Sequence, residues 1–372
     1  MPGAPRRDIA AALPDFPWDL LAPHKSRAAA HPAGMIDLSM GSPVDSVAGD
    51  VQAALATAAD APSYPLTHGT PAFRSAVSAW MSDALGVRDY SSDAVLPTIG
   101  SKEAVGWLPF MLGFGAGHTV IAPTLAYPTY EVGALTAGCT FVRADDPDEW
   151  PAGNIAMVWL NSPSNPTGAV RPATQMKRVV DAARERGAIV ASDECYIELT
   201  WGTPATSVLA DSVSNGDHTG LLALHSLSKR SNLAGYRVAT ITGDSALVSE
   251  LLNVRKQLGH LVPAPVLAAA TIAYQDREHA SAQKDVYGRR RQVLSQSLAE
   301  AGFTFNPSAG SLFIWATCDR DAWETTAALA ELGILVAPGT FYGAAGNRHV
   351  RLALTATDAG IEDAANRLQS FA

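Results

Sequence analysis

The chain has 372 residues, with 36 Asp and Glu against 27 Lys and Arg, so its formal net charge is −9. Hydrophobic residues make up 47% and charged residues 17% of it, which is typical of a folded globular protein and not of a disordered one. The acidic balance disfavours a nucleic-acid groove, because neutralising phosphates requires clustered Lys and Arg. At about 150 residues per domain the length predicts about two domains, and no apolar run reaches the roughly 18 residues of a membrane span.

Cysteine usage and the N-terminal residues predict a cytoplasmic location. Cys139, Cys195 and Cys318 are scattered and form no C-x-x-C pair, which fits a reducing compartment better than a disulfide framework. Asp8 and Asp15 interrupt the apolar core that a secretory signal would need.

The first residues, 1–44, are predicted to form an arm. Four prolines between positions 14 and 32 break any long helix in this segment. Phe16, Trp18 and Leu20 nevertheless offer apolar groups, so we expect the arm to pack on another part of the molecule.

From about residue 70, predicted helices and strands alternate. Helices are expected at Pro71–Leu85, Ser101–Leu112, Thr129–Thr136 and Ala173–Arg186. Strands are expected at Ala94–Ile99, His118–Ala122, Thr140–Arg143, Ile155–Leu160, Ala188–Ser192, Leu221–His225 and Arg237–Thr242. This alternation predicts βαβ units and a mostly parallel sheet sandwiched by helices. Ligands of such sheets bind at the carboxyl ends of the strands.

The pattern changes near residues 263–302. Two long helices, Pro263–Tyr274 and Asp276–Ala301, are expected to lead away from the sheet. A smaller α+β unit follows, with strands at Leu312–Ala316 and His349–Leu354 and helices at Ala322–Leu332 and Ala359–Phe371. The prediction is an α/β chain with a large domain at 45–275. The arm, 1–44, and residues 276–372 together form the predicted small domain.

One polar segment that follows a predicted strand contains a candidate nucleophile. Lys229 lies in S-L-S-K, directly after the apolar run Leu221–His225. A desolvated ε-amine there is suited to Schiff-base chemistry, although a surface loop lysine is the alternative. Arg237, eight residues further on, is placed to bind a phosphate together with the hydroxyls of Ser226 and Ser228.

Three further segments end predicted strands with polar residues. Asp193 is either the partner of a protonated ring nitrogen or the N-cap of a helix. The stretch N-S-P-S-N-P-T-G, 161–168, either forms a turn or presents its two asparagine amides to the crevice. The stretch G-S-K-E, 100–103, opens a helix whose N-terminal N–H groups suit an anion, as many helix starts do.

Taken together, these segments carry a resemblance. S-L-S-K-R-S-N-L-A-G-Y-R, N-P-T-G and D-E-C-Y occur in the order and spacing of the class I/II, fold-type I aminotransferases, which use pyridoxal 5′-phosphate (PLP). The chain resembles this family from about Ile36 to its C-terminus. The resemblance implies a PLP-binding sheet domain and a smaller α+β domain.

The resemblance also implies roles at the cofactor ring. Lys229 is similar to the lysine that binds the cofactor covalently and later moves the proton at the substrate's α-carbon. Asp193 resembles the carboxylate that pairs with the pyridine nitrogen, and Tyr196 and Asn165 match the groups that hydrogen-bond the ring's O3′. Tyr127 is similar to the aromatic residue that stacks on the ring, with a core aromatic as the alternative.

Phosphate and substrate roles follow in the same way. Ser226, Arg237 and the backbone at Ser101 and Lys102 match the phosphate site. Tyr64 resembles the tyrosine that reaches the phosphate of a neighbouring subunit, which implies a homodimer with shared active sites.

The substrate's α-carboxylate is also assigned by resemblance. Arg351, in H-V-R-L-A-L, resembles the small-domain arginine that grips this group. Gly41 matches the small residue that closes over it, and Asn165 is expected to contact the substrate as well.

A narrower resemblance concerns the substrate. The arm sequence L-P-D-F-P-W-D-L-L-A-P-H-K-S-R-A and the stretch G-H-L-V-P-A-P-V are similar to bacterial N-succinyldiaminopimelate aminotransferases of lysine and diaminopimelate biosynthesis. This implies transfer from glutamate to N-succinyl-2-amino-6-oxopimelate, whose distal carboxylate needs a cation. Lys25, Arg27 and Lys102 are the candidates, since Leu258–Val262, around His260, lacks the arginine of dicarboxylate-specific relatives.

Other functions stay open at this point. A different aminotransferase substrate, or β-lyase activity on a cysteine conjugate, fits the same residues. A regulatory PLP-binding module is less compatible, because the length leaves no room for a nucleic-acid-binding domain. A nicotinamide-dependent dehydrogenase is disfavoured because no strand is followed by G-x-G-x-x-G, and no metal site is expected from the dispersed histidines.

Overall fold

The computed structural model describes residues 8–88, 90–306 and 310–371. The helices are α1 (Ile9–Ala12), α2 (Ala22–Ala29), α3 (Gly49–Thr57), α4 (Pro71–Leu85), α5 (Ser101–Met111), α6 (Thr129–Ala137), α7 (Ala173–Glu185), α8 (Asp211–Ser214), α9 (Leu227–Arg230), α10 (Ser245–Leu258), α11 (Ala264–Gln275), α12 (Glu278–Glu300), α13 (Ala322–Glu331) and α14 (Asp358–Leu368). The strands are β1 (Ile36–Asp37), β2 (Val95–Thr98), β3 (Thr119–Ala122), β4 (Thr140–Arg143), β5 (Ile155–Asn161), β6 (Ile189–Asp193), β7 (Leu221–Ser226), β8 (Ala239–Gly243), β9 (Thr304–Phe305), β10 (Phe313–Thr317), β11 (Ile334–Leu335), β12 (Ala337–Pro338) and β13 (Val350–Ala353).

A seven-stranded sheet forms the centre of the larger part of the chain. Its strand order is β2-β8-β7-β6-β5-β3-β4. The pairs among β3, β4, β5, β6 and β7 are parallel, whereas β8 is antiparallel to both β2 and β7. The predicted mostly parallel sheet is therefore confirmed. Because β8 runs in reverse, its first residues lie at the edge where the other strands end.

Both faces of this sheet are buried. Every residue of β5 is buried, as expected for a central strand of a parallel sheet with a continuous apolar sequence. Val158 and Leu160 belong to one hydrophobic core, whereas Met157 and Trp159 belong to the core on the opposite face. This alternation follows the two-residue period of a strand and explains the helical layer on each side.

Two smaller sheets lie in the C-terminal part. One is antiparallel, with the order β12-β13-β10-β9, and the other is the parallel pair of β1 and β11. The second pair joins Ile36 to Ile334, so the N-terminal segment is part of the same hydrophobic core as the C-terminal unit. The domain limits at 44/45 and 275/276 stay predictions.

Two differences from the predicted elements have physical causes. Arg237, predicted as the first residue of a strand, lies in a left-handed turn with φ of 56°, and β8 begins two residues later. Helix α10 was not predicted, although Asp244 caps it by accepting from the N–H groups of Ala246 and Leu247 and Gly259 ends it with φ of 72°. Those two residues are ordinary start and stop signals of a helix.

Two further properties of the described residues concern disulfide bonds and membrane-spanning helices. Cys139, Cys195 and Cys318 form no disulfide bond with one another. Within residues 8–88, 90–306 and 310–371, no helix combines the length and apolar character needed to cross a bilayer.

Candidate active site

The register of the sheet brings three predicted polar positions to one edge. Asn161, the last residue of β5, pairs with Asp193, the last residue of β6. Asp193 in turn pairs with Leu224 of β7, and Ser226 at the end of β7 pairs with Ala239 at the start of β8. Because neighbouring parallel strands end at the same edge, an amide, a carboxylate and a hydroxyl from segments distant in sequence lie at one edge of the sheet.

A cavity of about 390 Å³ opens at this edge. All predicted site residues except Tyr64 line it, namely Gly41, Ser101, Lys102, Tyr127, Asn165, Asp193, Tyr196, Ser226, Lys229, Arg237 and Arg351. Ser228, whose hydroxyl the sequence also assigned to a phosphate, lines it too. Residues that the sequence did not assign to the site also contribute, among them Phe16, Trp18, Met40, Ser42, Cys195 and Phe313. The structure therefore collects segments from the arm, the sheet edge and β13 around one space.

Lys229 lies on the short helix α9 directly after β7. The Ser226 hydroxyl accepts from the N–H of Ser228 at 3.1 Å and so fixes the start of this helix. The Lys229 Nζ donates to the carbonyl of Gly41. Burial lowers the pKa of Lys229 to about 8, and the positive charges of Arg351 and Arg237 act in the same direction. About a tenth of this amine is therefore uncharged at pH 7, far more than for an ordinary lysine, and a nucleophile or base requires this uncharged form.

Asp193 is a buried carboxylate held by neutral donors. Tyr130 donates to its Oδ2 at 2.8 Å, and the N–H of Cys195 donates to its Oδ1 at 3.2 Å. Burial raises the pKa of Asp193, while the hydrogen bonds from Cys195 and Tyr130 lower it. No Lys or Arg of the described ranges forms an ion pair with it, so this carboxylate is suited to a cationic ligand group.

Arg351, on β13, also lines the cavity. Its Nη1 donates to the Asn165 Oδ1 at 2.8 Å and its Nη2 donates to the Ser39 carbonyl at 2.6 Å. The guanidinium lies 3.7 Å from the ring centroid of Phe313, and its buried Nε has no hydrogen-bond partner in the structure. A planar fork held in this way is suited to a carboxylate.

Asn165 and the neighbouring tyrosines complete the centre of the cavity. The Asn161 Oδ1 accepts from the backbone N–H of Asn165 at 2.7 Å, which fixes the turn after β5. Tyr196 is buried against the edge of the Phe313 ring, with centroids 5.6 Å apart. Burial raises the pKa values of Tyr127 and Tyr196, so both phenols are neutral hydrogen-bonding groups.

The start of α5 and Arg237 form a positive pocket. Gly100 has φ of 75°, and a Cβ at this position would lie 2.2 Å from the Arg237 Nη2, so only glycine allows the guanidinium to approach. The Arg237 Nη1 donates to the Ala234 carbonyl at 2.9 Å. The acidic residue in the first turn of α5, Glu103, is engaged elsewhere, by Arg255 at 2.8 Å. A helix N-terminus and an arginine thus converge where an anion fits.

The remaining predicted positions lie outside the cavity. Tyr64 is 94% exposed. Lys25 and Arg27 are exposed on α2, where Arg27 pairs with Glu331 at 2.6 Å. His260 lies 2.9 Å from the Glu103 carboxylate, away from the lining residues. Of the three candidate cations for a distal carboxylate, the structure places Lys102 alone in the cavity lining.

Sequence reasoning missed Tyr130 and the role of Phe16 and Trp18 in the cavity. Tyr130, in the first turn of α6, follows Tyr127 by three residues, and the turn between them brings the two rings to a centroid distance of 5.8 Å. This spacing is visible in A-Y-P-T-Y, although nothing in the sequence pointed to the contact with Asp193. The aromatic pair of the arm was recognised as apolar, but its packing partner was not.

Comparison with known proteins identifies the family. The model of the family "Aminotransferase class I and II" matches residues 33–368. The chain belongs to this family. Its members use PLP, and the residues of this site fit that cofactor: an isolated buried carboxylate suits a pyridinium nitrogen, and the Gly100–Arg237 pocket suits a phosphate.

Individual relatives extend over nearly the whole chain. It is 52% identical over 356 residues to 4-dedimethylamino-4-oxo-anhydrotetracycline transaminase OxyQ of Streptomyces rimosus, covering 96% of this chain and 99% of the relative. It is 50% identical to a probable aminotransferase of Mycobacterium tuberculosis, covering 98% and 87%.

Solved structures agree on the fold. An aminotransferase of Neisseria meningitidis aligns with a TM-score of 0.88 at 27% identity, over 98% of this chain and 99% of that one. N-Succinyldiaminopimelate aminotransferase of Mycobacterium tuberculosis aligns with a TM-score of 0.87 over 99% and 100%, but at 22% identity, which shows the fold alone. The predicted fold class, cofactor and transaminase activity are confirmed.

Proposed function

We propose that this aminotransferase moves the amino group of glutamate to a 2-oxo acid in a ping-pong cycle, with Lys229 as the catalytic base. The main observation in support of this proposal is that three side chains of complementary chemistry line a single cavity. A lysine with a pKa lowered to about 8, a buried carboxylate, Asp193, and an arginine fork, Arg351, line the same cavity. These are the groups that transamination needs at the amine, at the cofactor ring and at the substrate carboxylate.

The sheet edge provides the groups for binding and tuning the cofactor. PLP, when bound, supplies an electron sink for the pair of electrons left at the substrate's α-carbon. Asp193 would hold a proton at the ring nitrogen of the bound cofactor, while Tyr196 and Asn165 would donate to its ring oxygen. Arg237, with the helix start at 101–102 and the Ser226 hydroxyl, would hold the phosphate, and Tyr127 would pack against the ring.

Arg351 and Lys229 then act on the substrate. Arg351 binds the α-carboxylate in its fork and so fixes which face of the α-carbon is presented to Lys229. The Lys229 amine takes the α-proton as a base and returns it as an acid. In the structure Lys229 is hydrogen-bonded to the Gly41 carbonyl, so Gly41 provides an acceptor for the amine close to where the substrate enters.

We also propose a homodimer in which Tyr64 reaches the partner's phosphate site. Tyr64 is 94% exposed and the nearby Leu66 is 63% exposed, so both side chains are accessible to a second copy of the chain. Light scattering should give a dimer mass, and Tyr64→Phe should weaken PLP binding without dissociating the dimer. A monomer with unchanged activity contradicts this proposal. The three cysteines, which form no disulfide bond with one another, fit the cytoplasmic location that the sequence predicts.

We further propose that the amino acceptor is N-succinyl-2-amino-6-oxopimelate. The arm sequence supports it, and the relatives include LL-diaminopimelate aminotransferase of Dehalococcoides mccartyi, 29% identical over 91% of each chain. The more similar OxyQ carries a different substrate in its name. An acceptor panel must therefore contain the succinyl compound, plain 2-oxo acids and an aromatic ketone.

The half-reaction with glutamate tests the activity directly. Purified protein loaded with PLP should lose its long-wavelength absorbance on addition of glutamate and release 2-oxoglutarate without net ammonia. A 2-oxo acid should then restore the absorbance. Ammonia and pyruvate from a β-substituted amino acid, with no response to glutamate, would instead favour the β-lyase alternative.

A further inference from the structure

A second, small cavity adjoins the active-site cavity. It measures about 10 Å³, and Cys195, Tyr196 and Ser226 line both spaces. Two acidic and two basic side chains also line it, those of Glu194, Glu198, His225 and Arg230. All four come from the two segments that carry the proposed catalytic groups, 193–199 and 225–230. The proposed reaction gives none of these four side chains a task.

One pair among them joins residues that the sheet already holds together. The Nε2 of His225 donates to the Oε2 of Glu194 at 2.8 Å, because an ionised carboxylate only accepts. Both residues are at most 2% exposed. Glu194 directly follows β6, and its N–H donates to the Leu224 carbonyl of β7 at 2.9 Å. Backbone hydrogen bonds therefore set the spacing of this pair.

The other pair joins segments that lie beyond the strand ends. The Arg230 Nη1 lies 3.0 Å from the Glu198 Oε2, although no Arg230 nitrogen forms an aligned hydrogen bond, so the contact is an ion pair. Arg230 is 4% exposed, and its guanidinium lies 5.3 Å from the ring centroid of Trp80 and 5.7 Å from that of Tyr274. A charge this deeply buried requires a counter-charge. Among the residues that the structure describes, Glu198 alone provides it.

Helix α9 depends on tertiary contacts for its orientation. It has four residues, and so short a helix is not stable by itself. Its first residue, Leu227, is fully buried, but apolar burial has no direction. Consecutive side chains of a helix project about 100° apart. The rotation that puts Lys229 in the lining of the active-site cavity therefore puts its neighbour Arg230 in the lining of the small one.

The partner of Arg230 belongs to the segment that carries the other proposed groups. Glu198 follows Tyr196 by two residues and Asp193 by five, in turns after β6. We propose that the ion pair of Arg230 and Glu198 positions the Lys229 amine relative to Tyr196 and Asp193. Arg230 and Glu198 are thus positioning residues that touch neither substrate nor cofactor. This inference rests on the proposed transamination, in which the positioned groups act together, and deepens it.

Arg230→Met tests the pair, because methionine still packs on the two rings but has no charge. In full-length holoenzyme, kcat for glutamate should fall about ten- to hundredfold, as for a misplacement of roughly 1 Å. The KM for glutamate should change less than about twofold, since Arg351 keeps its partners. Covalent attachment of PLP to cofactor-free protein should slow by a factor similar to that in kcat. The dissociation constant of pyridoxamine 5′-phosphate, which has no aldehyde to react with Lys229, should stay unchanged.

Further variants separate the ion pair from packing. Arg230→Lys keeps a positive charge and should turn over several times faster than Arg230→Met. Glu198→Gln keeps the shape of the side chain without its charge and should lower kcat severalfold. Because the two residues act as one unit, the double variant Arg230→Met/Glu198→Gln should be no slower than Arg230→Met alone.

Arg367→Met is the matched control. The Arg367 side chain is 8% exposed and forms an ion pair with Asp363 at 2.6 Å on α14. Its loss should lower the melting temperature, as the loss of Arg230 does, while kcat and the rate of PLP attachment stay at wild-type values.

Two outcomes overturn the proposal. If Arg230→Met lowers the melting temperature but attaches PLP and turns over at wild-type rates, the pair is structural alone. If the losses in the single variants multiply in the double variant, the two residues do not act through each other. Should Arg230→Met fail to fold, Glu198→Gln, which retains the arginine, decides between the same outcomes. Failure of the proposed function is distinguishable, because PLP attachment is measured without glutamate and would still depend on Arg230.

Discussion

Two sides of the same cavity are built in different ways. The sheet wall, comprising Asn165, Asp193, Ser226 and Lys229, lies at or directly after strand ends that backbone register fixes. The arm wall, comprising Phe16, Trp18 and Met40, lies on segments outside any sheet, and its aromatic pair is held by ring contacts. Phe16 is 49% and Met40 46% exposed, whereas Asp193 and Asn165 are each 6% exposed.

Because the two walls are built differently, we expect the sheet wall to carry out the reaction and the arm wall to influence which substrate binds. A group that moves or holds a proton must be placed within a few tenths of an ångström, and strand register provides that accuracy. Apolar contacts are non-directional, so a wall of exposed side chains tolerates substitution and still excludes water. We therefore expect sheet-wall variants to change kcat and arm-wall variants to change KM.

The largest expected effect is that of Lys229→Ala. Removing the only base assigned to the α-proton should lower kcat by more than about 10³-fold, while the melting temperature changes little. Stopped-flow absorbance with glutamate measures it, and Lys256→Ala, an exposed lysine on α10, is the matched control. Retained multiple turnover in the Lys229 variant would disprove the assignment.

Asp193→Asn should have the next largest effect. The amide keeps the shape and most hydrogen bonds but loses the charge that holds a proton at the cofactor ring, so kcat should fall about 10²-fold. Tyr130→Phe, which removes only the 2.8 Å hydrogen bond to the carboxylate, should cost much less. Equal losses in the two variants would mean that Asp193 acts through packing and not through charge.

The pH dependence of cofactor loading tests the environment of Lys229. Since burial lowers its pKa to about 8, the uncharged amine appears as pH rises through 8 and is scarce below it. Covalent attachment of PLP to cofactor-free protein should speed up about tenfold per pH unit below this value and level off above it. Arg351→Leu should move the midpoint upward because a positive neighbour is removed. A midpoint near 10.5 would contradict the burial of the amine.

The smallest expected effect belongs to the arm wall. Trp18→Leu removes the ring contacts with Phe16 and Phe341. It should raise the acceptor KM about three- to tenfold, at a cost of about 1 kcal/mol in stability. Steady-state kinetics and thermal unfolding measure the two effects, with Leu20→Ala in the same turn as control. A kcat loss as large as that of Asp193→Asn would remove the distinction between the two walls.

The same distinction explains how much could be predicted from sequence. The sheet wall follows from alternating apolar runs, because a strand that is buried on both faces is visible in the sequence and its polar successor must lie at the sheet edge. The position of Arg237 depends on a feature that the sequence did not show. Strand β8 is antiparallel to β7, so the left-handed turn that precedes β8 lies at the cavity.

The arm wall could not be predicted from apolar periodicity. Phe16 and Trp18 lie in a proline-rich segment without periodicity, and their positions depend on Phe341, which is distant in sequence. Likewise, the sequence offered Lys25, Arg27 and Lys102 as equal candidates for binding a distal carboxylate. The tertiary structure places Lys102 in the cavity lining and pairs Arg27 with Glu331. Long-range packing, not local propensity, decided these cases.

The short segment 39–41 has a consequence for altering the enzyme's range of substrates. Its Ser39 carbonyl accepts from Arg351 and its Gly41 carbonyl accepts from Lys229, so Arg351 on β13 and Lys229 on α9 share one stretch of backbone. A Cβ at position 41 would also lie 2.8 Å from the Phe313 ring. Substitutions in this segment disturb carboxylate recognition and proton transfer together. Substitutions intended to change the acceptor are therefore better made at Phe16, which lines the cavity and lies outside this segment.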